Sequence, residues 1–206
     1  VPRRRRWQLP DPPSIAVATD PAPKVVAEIA HALVHADNSA EAYQFALDRA
    51  CPAVGAALGA VFMLDGAAEV MRPVAAHAWP ERMRPWLGEM RVRLGFGPAG
   101  EAAAERRLIE TPDVFADPAL EDWAEVAQEL GFRGIVSLPI VGAEGVAGAV
   151  SFYFDTPGPR PAAAKDLLRT VADLMAAIHE MDLLRRRLRL AEAALEDERS
   201  TGPQRT

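Results

Sequence analysis

Two apolar runs, residues 135–141 and 146–154, lie close together in the chain, and Gly142 and Gly145 flank the turn between them. Runs of this kind joined by a tight turn pair as an antiparallel hairpin. The chain is thereby committed to a sheet, and the rest of its apolar pattern says how that sheet is covered. Val25, Val26, Ile29 and Leu33 recur at helical spacing. A second helical run, capped by Asn38 and Ser39, carries Tyr43, Phe45, Leu47 and Ala50. At residues 58–64 the period changes to that of a buried strand, ending at the turn pair Asp65 and Gly66. Strand-like runs follow at 71–79, 90–94 and 108–110. Between them stand a Pro-bounded segment around Arg82, Met83 and Trp86 and a short Ala-rich helix at about 100–105. A further helix at about 121–130 is ended by Gly131 in a left-handed conformation. Helices first, then strands, a closing hairpin and a long final helix define an α+β fold, with an antiparallel sheet covered on one face by the terminal helices.

The 206 residues suit one domain with extensions. Residues 1–23, with Arg3 to Arg6 and prolines at 2, 10, 12, 13, 21 and 23, read as a disordered linker, because each proline removes a backbone donor and disfavours helix before it. The domain is expected over 24–161, a helix over 162–199 and a disordered tail over 200–206. No uncharged apolar run reaches the roughly 20 residues of a membrane span. The arginines are followed by a Pro-rich stretch rather than the apolar segment of a signal peptide, so a soluble cytoplasmic protein is expected, without membrane partners. A formal net charge of −6 disfavours a general nucleic-acid binder, which needs a basic surface. The lone Cys51 reads as a buried apolar filler, and it gives no argument for a disulfide or a structural zinc.

The final helix changes partner along its length. Leu167, Leu168, Val171, Leu174, Met175 and Ile178 form a wide stripe suited to packing on a sheet. Leu174, Ala177, Met181, Leu184, Leu188, Ala191 and Leu195 then fall alternately three and four residues apart, the narrow seam of a coiled coil. A homodimer through Met181, Leu184, Leu188 and Leu195 is expected. The run of arginines at 185–187 and 189 and the acidic residues at 192 and 196–198 solvate the outer faces or set register between chains.

A series of short pieces carries a resemblance: Gly95-Phe96-Gly97-Pro98-Ala99-Gly100, Ala116-Asp117-Pro118, Gly131-Phe132-Arg133, Ser137-Leu138-Pro139-Ile140 and Gly145-Val146-Ala147-Gly148. In this order and spacing the segment resembles the GAF family, and with the preceding helices the resemblance covers about residues 24–180. It implies a six-stranded antiparallel sheet with helices on one face that pair subunits. A ligand pocket is implied on the other face, with a C-terminal helix leading to an output such as a histidine kinase, cyclase or transcription factor, as in bacterial signal transduction.

The residues narrow what such a pocket takes. The single asparagine, Asn38, is followed by serine and not by the lysine of cyclic-nucleotide GAF domains, and Cys51 precedes the first strand, outside the place of a bilin cysteine. Reduction of free methionine sulfoxide by GAF enzymes needs several cysteines, and there is one. Haem stays open through His77, the histidine of the sheet region. No triad, carboxylate pair or metal-spaced cluster is legible, so no enzymatic activity and no metal are expected. The glycine loop lacks a P-loop lysine, and its glycines serve a sharp strand-to-helix turn. Asp117 is foremost a turn residue. The residues expected to overhang the pocket are His77, Trp79, Trp86, Phe96, Phe115, Asp117, Trp123, Phe132 and Arg133, an apolar set with few polar groups, as small-molecule sites have. Arg133 is suited to an anion, whereas Gly134 stands where the family usually has serine. Three readings follow: a dimeric small-molecule sensor, a dimerisation module whose pocket is filled by its own tryptophans, or an enzyme of unrecognised type.

Overall fold

The computed structural model describes residues 21–36, 38–66 and 69–201. The expected linker up to residue 20 and the tail from residue 202 lie outside them. Twelve regular elements follow in order, joined in places by 3-10 turns: α1 (Ala22–His35), α2 (Ser39–Val54), β1 (Leu58–Leu64), β2 (Val70–His77), α3 (Arg84–Glu89), β3 (Val92–Arg93), α4 (Gly97–Glu105), β4 (Ile109–Thr111), α5 (Ala124–Leu130), β5 (Gly134–Gly142), β6 (Gly145–Phe154) and α6 (Ala162–Thr201). Pro23 does not delay α1, because a proline in the first helical turn removes only a donor that would be unpaired anyway. Asn38 caps α2 by accepting the Glu41 N–H at 3.0 Å, and Gly131 ends α5 at φ 74°. The helix expected from Glu121 splits: Pro118–Trp123 is 3-10, and α-helix begins only at Ala124.

The six strands form one sheet in the order β3-β2-β1-β6-β5-β4, with every neighbouring pair antiparallel. Alternation along β6 assigns Val150, Phe152 and Phe154 to one face and Ala149, Ser151 and Tyr153 to the other. The first face packs on α1, α2 and α6 through Ile29, Leu47, Leu168, Val171 and Met175. The second is covered by α3, α4, α5 and their connecting turns, with Phe62, Met71, Trp79, Leu87, Phe132 and Tyr153 at its centre. Coverage on both faces is why β5 and β6 read as nearly continuous apolar runs.

Close backbone approaches set the layer geometry. A Cβ at Gly148 would run into the Phe62 carbonyl of β1, and one at Gly100 into the carbonyl of Arg93, so glycine is required where β6 meets β1 and where α4 leaves β3. Among the described residues, Tyr43 of α2 carries the buried side-chain polar atom without a hydrogen-bond partner; its hydroxyl lies in the helical core. Helix α6 is buried against the sheet through Ile178 and exposed from Leu188 to Asp197. Among the described residues, no helix is long and apolar enough to cross a membrane.

Candidate functional site

The expected pocket lies between the second sheet face and the short helices. There the structure leaves a cavity of about 10 Å³, lined by Phe62, Val92, Phe96, Gly97, Trp123, Ile135, Ser151 and Tyr153. That is roughly the space of one water, whereas small-molecule pockets span about 300–1,000 Å³. Aromatic side chains pack the core around this cavity, and one of them, Trp79, also borders a separate hollow beside β2. Trp79 is buried, stacks on Trp86 with ring centroids 6.2 Å apart and meets Tyr153 edge-on at 5.8 Å, while Phe132 lies 4.9 Å from Tyr153. The Trp79 indole N–H donates to the Gly59 carbonyl at 3.0 Å, which anchors the ring in place rather than leaving it as a loose lid.

The floor of this cavity holds a polar feature. Ser137 on β5 and Ser151 on β6 are paired across the strands, both buried, and their Oγ atoms hydrogen-bond at 2.7 Å. Tyr153 stands two residues on along the same face. Burial drives its phenol above the usual range, against a smaller opposing pull from Ser151, so the hydroxyl stays protonated at any physiological pH. These hydroxyls were not singled out from the sequence. The available signal was two serines inside otherwise apolar strands.

The remaining sequence-selected residues do not converge on one cavity. His77 points to the helical face, where its Nδ1 lies 2.7 Å from Asp48; Gln44 donates to the same carboxylate at 3.1 Å and accepts the Ala76 N–H at 3.2 Å. Arg133 turns its guanidinium to Asp113, bonding it through Nε and Nη2, and lies over the Phe115 ring, so it is paired within the chain and not aimed into the cavity. Asp117 accepts the Ala119 N–H at 3.0 Å, the turn role its position suggested, and with Phe115 it borders a separate surface hollow. Phe96 is 64% exposed under the Arg93 guanidinium, and Trp123 is half-buried beside Gly97. These two border both the closed cavity and an outer hollow of about 270 Å³, so they form its mouth. The roomier hollows, about 440 Å³ beside β2 and about 510 Å³ beside β5, are open grooves at the sheet edges, where the short strands β3 and β4 leave their longer neighbours uncovered. Among the described residues, no group of three or more His, Cys, Asp or Glu side chains is placed to hold a metal ion.

A two-faced antiparallel sheet, with terminal helices on one side and short helices over a central cavity on the other, defines a class of α+β domains. The family model for the GAF domain matches residues 36–180, well over half of the chain, and the chain belongs to the GAF family. Solved structures agree on the fold. The GAF domain of a phosphoenolpyruvate-protein phosphotransferase from Coxiella burnetii is 20% identical with a TM-score of 0.67, over 82% of this chain and 96% of that one. A free methionine-R-sulfoxide reductase from Neisseria meningitidis is 13% identical with a TM-score of 0.66, over 80% of this chain and 91% of that one. A bacteriophytochrome from R. palustris is 14% identical with a TM-score of 0.62, over 89% of this chain but 43% of that one. At these identities the likeness is one of fold, which bacterial sensor and signalling proteins share. No curated protein matches the chain.

Proposed function

We propose that this chain is a GAF dimerisation and relay module, which pairs with a second copy through α6 and passes changes in the domain along that helix to an output domain or partner. The observation that carries the reading is the apolar row on α6: Leu184, Leu188 and Leu195 are each more than half exposed (57%, 60% and 54%) at coiled-coil spacing, beyond Ile178, the last residue of the helix buried in the core. A leucine row of this length exposed to water is costly, and pairing buries it at about 25 cal/mol per Å² of apolar surface. With Met181, Leu188 and Leu195 at the a positions and Ala177, Leu184 and Ala191 at d, Arg187, which pairs with Glu144 at 2.6 Å within the single chain, falls at g and Glu192 at the following e. In a parallel, in-register pair these opposite charges face each other across the seam. The filled cavity favours pairing over ligand capture as the primary role.

A second reading, small-molecule sensing, draws support from the buried Ser137, Ser151 and Tyr153 hydroxyls under a mouth made of Phe96 and Trp123. A ligand acting there has to favour a state in which those aromatics have moved, since it shifts the equilibrium only by its difference in affinity for the two states.

Native mass at micromolar concentration tests the first reading: a dimer is expected, with Leu184→Glu plus Leu188→Glu giving a monomer of unchanged circular dichroism. A monomeric wild-type chain would overturn it. Absorption and mass spectra of freshly purified protein, before and after denaturation, test the second; release of a bound small molecule on unfolding would make sensing the primary role.

A further inference from the structure

We infer that His31 and His35 form a bidentate site for a divalent transition-metal ion on the outer face of α1. The two residues are one helical turn apart, the spacing at which side chains on a 3.6-residue helix lie side by side. Their rings are already together, with centroids 4.2 Å apart and planes inclined by 42°. Both side chains are exposed. Among the described residues neither ring has a hydrogen-bond partner, unlike His77, which is held by Asp48. Nitrogens bound to one ion at about 2.0–2.1 Å lie about 3 Å apart, which these rings reach by side-chain rotation alone. The inner face of the same helix is fixed by the buried Val25 and Ile29, so the chelating face needs no rearrangement of the core.

The donor set selects the ion. Two neutral imidazoles suit borderline cations, Ni²⁺, Cu²⁺ or Zn²⁺, and not Mg²⁺ or Ca²⁺, which demand oxygen ligands. Water completes the shell, because among the described residues no third His, Cys, Asp or Glu is grouped with the two rings. The location also matters. His35 is the last residue of α1, and the carbonyls of Val34 and Ala36 beside it accept from the Arg185 guanidinium of α6 at 3.3 and 3.4 Å. An ion bridging His31 and His35 therefore ties down the turn on which the departing α6 helix is anchored.

Calorimetric titration of the untagged full chain with Ni²⁺ tests the site. One ion per chain is expected. His31→Gln and His35→Gln, each at an exposed position and each checked for native circular dichroism, should weaken binding at least tenfold, while His179→Gln leaves it unchanged. Saturable binding that either single α1 variant leaves intact, or the absence of saturable binding in the wild-type chain, would overturn the inference.

Discussion

Glu180 of α6 accepts the backbone N–H of Ala143 at 2.7 Å, tying α6 to the tip of the β5–β6 hairpin. The same carboxylate closes over Gly142 so tightly that a Cβ there would collide with it. Sheet and stalk are thus coupled at the point where α6 leaves the domain. Glu180→Ala is expected to cost about 0.5–1.5 kcal/mol, the worth of one hydrogen bond. Amide exchange at Ala143 should speed up while exchange within β1 stays the same.

The Tyr43 hydroxyl is buried in the helical core without a partner. An unsatisfied buried hydroxyl costs about 1–3 kcal/mol, so Tyr43→Phe should stabilise the protein by about 1 kcal/mol. The midpoint of urea unfolding, which should rise, checks this.

Cys51 is fully buried, and burial in the first place, then the charge of Asp48, pushes its thiol up to about 12 from its usual 9.0. Thiol-specific reagents at pH 8 should label the native chain only as fast as it unfolds. Because the folded pKa is raised, this contribution is fully present below pH 9 and is lost as pH rises from there towards 12. The unfolding midpoint should fall across that window, and less steeply in Cys51→Ala.

Gly148→Ala and Gly100→Ala each force a methyl group against a backbone carbonyl, Phe62 in one case and Arg93 in the other. Neither neighbour is a flexible side chain, so overpacking of about 1–3 kcal/mol or more is expected. Gly88→Ala, where a Cβ meets open space inside α3, is the control and should be neutral or slightly stabilising. Thermal unfolding of the three variants separates the cases.

Local signals made much of the architecture legible. Apolar period marked β1, β5, β6 and α6, Asn38 and Gly131 marked helix ends, and Asp117 marked a turn, because each of these depends on residues within a few positions of one another. The GAF motifs implied a six-stranded antiparallel sheet, which periodicity could not, while the strand order β3-β2-β1-β6-β5-β4 is visible only in the fold. The interior of the site had no such signal. Whether Trp79 and Phe132 fill the cavity or frame it depends on how α3 and α5 close over the sheet, and nothing near either residue encodes that. His77 went to Asp48 and Arg133 to Asp113, partners 29 and 20 residues away that only folding brings within reach. Ser137 and Ser151 meet because the β5–β6 register places them opposite each other, and a slip of one residue would send each to the other face. The chain's own periodicity therefore determined the elements and their order, while tertiary packing decided what occupies the centre, since long-range contacts between layers leave no local trace.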